Sequence, residues 1–376
     1  MSHAGKILRV GFDARWHNDS GVGTYVAELL RAMAKSESLE LVIYEDPANR
    51  VPGLDGSGIE KVLVRNGRYS AASQVDLARR SRKDGLDVFH SPFYMTPFAA
   101  KCPVVVTIHD LIPFLFPVYS RMKSALVKAG YRMAAHKSAH VISVSDSTAA
   151  DLRKIMGVGC ERVTVVHNAA GELFRPSSDA SEMAELKQKY GIAQPYVVAA
   201  SARNWQTKNL EGALRTLEVA QELSGVQIQA VVYGPEEGFR AAGGRGRWSG
   251  LDLRTTGQVS SGELAMLFRN AAAFIMPSLY EGFGLPLVEA MACGCAVVTS
   301  KRGSLAEIAG GGAQIFEPSD VAGMGAAIAK LLTDEAESQK WKAAALKRSA
   351  EFSWQKAARE TISVYHRAYR EWTERK

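Results

Sequence analysis

The chain has 376 residues, 47% hydrophobic and 23% charged, with 46 Lys+Arg against 39 Asp+Glu and a net charge of +7. That length suits two or three domains, and the balance excludes disordered, collagenous and fibrous classes. Four cysteines are too few for a disulfide framework and point to a reducing cytoplasm. No apolar run approaches the roughly 18–20 residues that span a membrane, and the segment before Ile7 is too short for a signal peptide.

Short apolar runs predict strands at Ile7–Phe12, Leu39–Tyr44, Val62–Val64, Val88–His90, Val104–Ile108, Val141–Val144 and Val163–Val166. Helices are predicted between them at Val22–Lys35, Ala71–Lys83 and Arg121–Lys137. A break follows from Asn168 to Pro195. The alternation then resumes with strands at Tyr196–Ala200, Ile228–Val232, Leu251–Thr255, Ala273–Met276, Ala296–Thr299 and Ala313–Phe316. Their helices are Asn209–Leu223, Gly262–Asn270, Pro286–Ala292, Val321–Thr333 and Glu335–Arg348. The Gly- and Arg-rich stretch Gly238–Gly250 reads as a mobile surface loop. Strand–helix alternation predicts parallel sheets covered on both faces, here two doubly wound α/β domains facing one cleft.

The segment from Pro277 to Cys295 follows a strand and opens a helix. Pro286 suits the first helical position, which would leave the N–H groups of Gly284, Leu285 and Leu287 pointing out of a helix start that can bind phosphate. Glu281 before the helix and Glu289 one turn into it flank that anion site. A carboxylate is repelled by phosphate, so neutral sugar or ribose hydroxyls are the partners it needs. Gly21 and Gly23 form a second Gly-x-Gly at a helix start, another candidate anion site. Their distance from the strand and the Val26 in place of a third glycine argue against a dinucleotide fold.

Glu281 and Glu289 are separated by seven residues, and this Glu-(seven residues)-Glu pattern closely resembles retaining, nucleotide-sugar-dependent glycosyltransferases of the GT-B fold. That family includes glycogen synthases and bacterial mannosyltransferases. The resemblance continues in Ser201–Leu210, in Gly303–Ile308, in Gly11–Gly23 and in Phe352-Ser353-Trp354, and so covers nearly the whole chain. It implies an acceptor-binding domain over 1–176 and a nucleotide-sugar domain over 177–355, with a helix of about 356–376 packing back on the first. It also implies that Glu281 meets the donor sugar and Glu289 the ribose, with Gly282, Phe283, Gly284 and Leu285 beside them.

By the same likeness, Arg203 and Lys208 neutralise the departing diphosphate, and Gly21 and Gly23 lie near its phosphates. His109, at the end of a strand, contacts the sugar, with Asp110 orienting it. Asp13, Arg15, Tyr25, His90, Asp110 and Ser145 are the acceptor-side candidates. No Asp-x-Asp pair is present, so no metal cofactor is expected. His136 and His140 stand four apart, as zinc ligands do on one helix, but His140 begins a strand, so zinc is not expected there.

From Leu111 to Ser145 there is no acid but there are five cations, of which Arg121, Lys128 and Arg132 fall within about 40° on one helix face. This is either a solvated face or a dock for anionic lipid. Nucleic acid is not an expected partner, since no basic motif is interleaved with aromatics. The expected function is transfer of mannose from GDP-mannose to a saccharide or lipid-linked acceptor, in the cytoplasm and peripheral to the membrane. A GT-B nucleotide-sugar epimerase and a non-catalytic nucleotide-sugar binder are the alternatives.

Overall fold

Runs such as Val104–Ile108 and Ala273–Met276 are buried at every position, which is what a parallel strand covered on both faces requires. The computed structural model describes residues 6–17, 20–54, 58–193, 195–202 and 205–375. Among them the chain divides into two units, Met1–Asn168 with Ser353–Lys376, and Ala169–Phe352.

The strands of the first unit are β1 (Leu8–Asp13), β2 (Leu39–Glu45), β3 (Glu60–Leu63), β4 (Val88–Ser91), β5 (Val104–Ile108), β6 (His140–Ser143) and β7 (Val163–Val165). They form one parallel sheet in the order β3-β2-β1-β4-β5-β6-β7. The helix Trp354–Glu374 belongs to this unit and packs on the helix Ser20–Met33. Its buried residues Trp354, Ala357, Ala358, Thr361, Ile362, Val364, Tyr365 and Ala368 recur at helical spacing, giving one mostly apolar buried face.

The second unit contains β8 (Tyr196–Ala200), β9 (Gln229–Tyr233), β10 (Asp252–Gly257), β11 (Ala273–Met276), β12 (Val297–Ser300) and β13 (Gln314–Phe316). Their parallel order is β10-β9-β8-β11-β12-β13. The strands read from the sequence are thus all present among the described residues, shifted by at most two residues at their ends. In each sheet the winding reverses once, between β1 and β4 and between β8 and β11. That reversal opens a crevice at the strands' carboxyl ends, where doubly wound sheets take their ligands.

The boundary between the units and the stretch from Gly238 differ from the sequence reading, and the helix Asp146–Met156 is additional to it. The chain changes unit at Asn168/Ala169 and not at 176/177. Residues 173–175 already belong to the second unit because Phe174 packs on Phe268, and Arg269 donates to the carbonyls of Leu173 and Arg175. The stretch from Gly238 is not a loop. Short helices at Glu236–Ala241 and Gly244–Arg247 are pinned by buried Phe239 and Trp248, the indole donating to the Ala242 carbonyl at 2.8 Å. Glycine content mimicked a linker, while two large apolar side chains supplied a core.

Candidate active site

The loops leaving β8 and β11 sit side by side at the second unit's switch point. Leu279 N–H donates to the Thr207 carbonyl at 2.7 Å, and Asn209 Nδ2 to the Pro277 carbonyl at 3.1 Å. From the other side Ser304 donates to the Glu281 carbonyl through both N–H and hydroxyl, each at 3.1 Å. Gly303, at φ +59°, lies so close that a Cβ there would stand 2.5 Å from the Glu281 carbonyl oxygen. The loop carrying Glu281 is therefore held by backbone contacts on two sides.

Gly284 caps the helix Leu285–Ala292 at φ +89°, a conformation and a space that only glycine meets without strain, since an added Cβ would lie 2.8 Å from Leu305 Cδ2. The helix begins at Leu285, one residue before the expected Pro286. Leu287 N–H is not free, because it donates to the Gly284 carbonyl at 2.9 Å within the first turn. This corrects the set of outward N–H groups expected from the sequence.

Asn209 is the described non-glycine residue at positive φ, 51°. Its side chain caps the helix Leu210–Ser224 and so sets the position of Lys208, immediately before it. Lys208 Nζ lies 2.7 Å from Glu281 Oε1, the side chains being 19% and 11% exposed. Glu289 is also buried. Backbone strain held in place by hydrogen bonds beside a mostly desolvated ion pair is a common mark of a ligand site.

Three further groups there were missed by the sequence reading. Gln206 Oε1, Tyr233 Oη and Ser278 Oγ are buried with no hydrogen-bond partner among the described residues. Tyr233 ends β9, paired in register with Ala200 at the end of β8. Burial, together with the negative charges of Glu289 and Glu281, pushes its phenol well above the ordinary tyrosine value. The phenol therefore keeps its proton and can donate it to an incoming oxygen. A tyrosine at the last position of a strand beside the switch point was the available signal. Arg203 lies outside the described residues, as do Asn18 and Asp19 of the N-terminal glycine segment. Gly21 and Gly23 fall within the first turn of the helix Ser20–Met33.

In the first unit, the polar residues at the switch point are engaged with one another. Asp13 is fully buried and receives a forked pair of bonds from Arg15, Nε and Nη2 each at 2.7 Å, plus Trp16 Nε1 at 3.3 Å. Arg15 also reaches Ser73 Oγ and the Asn66 carbonyl. His90 is fully buried, with Nδ1 2.6 Å from Tyr365 Oη and Nε2 2.8 Å from Thr107 Oγ1, which Tyr25 Oη also meets at 2.8 Å. Asp13, Arg15, Tyr25 and His90 were expected on the acceptor side. In the structure each of them is buried and bonded to a neighbouring side chain.

Ser145 Oγ caps the helix Asp146–Met156 by accepting from Thr148 N–H. His109 Nε2 donates to the Pro92 carbonyl at 2.9 Å, so Nδ1 carries the lone pair. Burial lowers its pKa to about 4, against a smaller opposing effect of the Pro92 bond, and it is neutral near pH 7. The Asp110 carboxylate accepts from Ile112 N–H. His136 and His140 bond separately, to the Met156 carbonyl and to Thr164.

Two family models match the chain. Glycosyl transferases group 1 covers residues 182–348 and Glycosyltransferase Family 4 covers residues 20–170. The chain is 25% identical over 373 residues to O-antigen chain mannosyltransferase B of Escherichia coli, covering 92% of this chain and 96% of that protein. It is 32% identical over 234 residues to the serotype-specific mannosyltransferase WbdA of Escherichia coli, covering 60% of this chain but 28% of that protein. Among solved structures it shares the fold of a sucrose-phosphate synthase from Thermosynechococcus elongatus, with a TM-score of 0.80 at 19% identity over 97% of this chain and 100% of that one.

Proposed function

The chain belongs to the GT-B glycosyltransferases, and on that premise we propose that it transfers mannose, with retention of configuration, from GDP-mannose to a saccharide or lipid-linked saccharide acceptor of surface polysaccharide or glycolipid assembly. The reaction would take place in the cytoplasm, at the inner face of the membrane. The observation that carries the reading is the Lys208–Glu281 pair at the second unit's switch point, beside buried polar atoms without partners. The two Escherichia coli relatives are mannosyltransferases by name, which supports mannose as the sugar.

In this reading the second unit holds the donor. Lys208 and Arg203 stabilise the charge that grows on the diphosphate as its bond to the sugar breaks. Glu281, released by Lys208 when phosphate arrives, takes sugar hydroxyls, and Glu289 takes the ribose diol. Gly282, Phe283, Gly284 and Leu285 shape the backbone against the donor. Gln206, Tyr233 and Ser278 gain in the ligand the partners they lack in the protein. In the first unit, Gly21 and Gly23 serve the phosphates, and the neutral His109 offers its Nδ1 lone pair to a sugar hydroxyl. The acceptor oxygen bonds to the anomeric carbon on the face from which the diphosphate leaves, and the departing phosphate oxygen takes its proton. Two cations do the work of a metal, consistent with a sequence that has no Asp-x-Asp pair.

The test is a panel of nucleotide sugars with saccharide acceptors, read by released nucleoside diphosphate, with and without EDTA. GDP-mannose should turn over fastest, and EDTA should leave the rate largely intact. Conversion of UDP-N-acetylglucosamine without acceptor, or donor binding with no turnover, would replace this reading by an epimerase or a binding protein.

A further inference from the structure

The helix Arg121–Lys137 carries its apolar side chains on the wrong side for a water-facing helix. Its inner residues Val127, Tyr131, Ala134 and Ala135 pack into the core with Val106, Ile108 and Leu152. At about 100° per residue, Met122, Leu126, Ala129 and Met133 fall within about 60° of one another, roughly opposite that inner face. Met122 is 78% exposed, Leu126 71% and Met133 47%. A surface helix normally carries charged residues there.

The charges flank this ridge. Arg121, Lys128 and Arg132 line one border, and Lys123 and Lys137 the other, by the same helical angles. Just before the helix, Leu115 and Tyr119 are exposed as well. The cations lean on aromatic rings, Lys123 on Tyr119 at 4.6 Å and Arg132 on Phe114 at 5.1 Å. No Asp or Glu occurs between Leu111 and Ser145.

We propose that this helix face docks the protein on an anionic lipid bilayer, with the Met122–Leu126–Met133 ridge in the acyl boundary and the bordering cations among the headgroups. An apolar ridge between two rows of cations matches the layered chemistry of an anionic bilayer surface, apolar below and negative above. A second copy of the chain matches it poorly, since the same face on both copies would set cations against cations. Among the described residues no helix is long and apolar enough to cross a membrane, so this contact would be peripheral. The proposal rests on the proposed reaction only for its purpose, bringing the enzyme to a lipid-linked acceptor. The surface stands on the helix itself.

The test is co-sedimentation of the full chain with vesicles rich in phosphatidylglycerol and, separately, with pure phosphatidylcholine vesicles. Wild type should bind the anionic vesicles and be released by salt. Arg121→Gln/Lys128→Gln/Arg132→Gln should weaken that binding by about 100-fold, three cations at roughly tenfold or less each. Met122→Ser/Leu126→Ser should weaken it by at least about tenfold. Both variants alter exposed or border side chains, so melting temperature should not fall. Equal binding to both lipids, no binding to either, or variants that bind like wild type would overturn the proposal. So would a wild-type dimer in sedimentation velocity that the Ser variant turns into a monomer. Turnover in the donor panel is read separately, so a wild-type chain that transfers sugar but binds neither vesicle discards only the membrane face.

Discussion

The two units use the same parallel winding and differ in what stands at the reversal. At β1/β4 the polar side chains close on one another, Asp13 on Arg15 and Trp16, His90 on Thr107 and Tyr365. At β8/β11 a Lys208–Glu281 pair stands beside Gln206, Tyr233 and Ser278 atoms that no described residue satisfies. A satisfied buried network rigidifies a fold, whereas an unsatisfied one costs stability and gains most from a ligand. The first unit also has buried atoms without partners among the described residues, Glu45 Oε2 and Trp354 Nε1 among them, so the contrast is between the named side chains: those of the first crevice bond to one another, and those of the second would gain partners from a ligand. The units also differ in titration. All eight histidines lie in the first unit and none in Ala169–Phe352.

The largest expected effects come from cutting each crevice's ion pair. Asp13→Ala leaves Arg15 charged and buried, which should cost about 3–5 kcal/mol of folding stability in denaturant titrations. Lys208→Ala should cost less stability, yet lower the transfer rate by two to three decades, about 3–4 kcal/mol of barrier. If Asp13→Ala kept its stability and lost activity instead, the first crevice would be a ligand site and the contrast would collapse.

Acid should separate the units next. Burial, helped by the charge of His109, lowers the pKa of His90 to about 3; burial lowers His109 to about 4, and burial with Arg367 nearby lowers His140 to about 4. Each is therefore below its unfolded value of roughly 6.5. The folded state then binds fewer protons, so the stability from these groups is complete above about pH 6.5 and drains as pH falls toward 4. The second unit has no histidine to titrate there. Its Glu263, held near 2 chiefly by Lys189 with help from Ser260, responds only in the carboxylate range. Hydrogen exchange should show β5 and β6 losing protection at higher pH than β8 and β11. Loss at one common pH would contradict this.

The smallest effect sharpens the comparison most. Tyr233→Phe removes a hydroxyl without a partner, so the ligand-free protein should be as stable as wild type or slightly more so. Donor affinity by calorimetry should weaken by about 1–2 kcal/mol, roughly 5- to 30-fold. A destabilised variant with unchanged affinity would make Tyr233 a core residue like Tyr25.

The order of elements was legible in the sequence because a parallel strand buried on both faces is a short continuous apolar run and its covering helix an amphipathic one, both local patterns. The segment around Glu281 was legible for a similar reason. A glycine cap, a proline and two carboxylates lie within thirteen residues of Pro277 and dictate a strand–turn–helix whatever surrounds them. The tight core around Trp248 was not, since glycine-rich composition outweighed two apolar side chains in a local reading.

Partner choice at the strand ends was decided only by tertiary structure. Asp13, His90, His109 and Tyr233 all occupy carboxyl ends of strands, and nothing in their neighbours along the chain distinguishes them. His90 is closed off by Tyr365, 275 residues away, while Tyr233 meets no such partner among the described residues. Likewise, the sequence placed Met122, Leu126 and Met133 beside a row of cations, but which helix face turns outward followed from packing Val127, Tyr131 and Ala134 into the core. Local pattern determines where the backbone goes, because hydrogen bonding and burial are periodic along the chain. Which polar group remains available to a ligand depends on contacts between distant segments, and these exist only after the chain has folded.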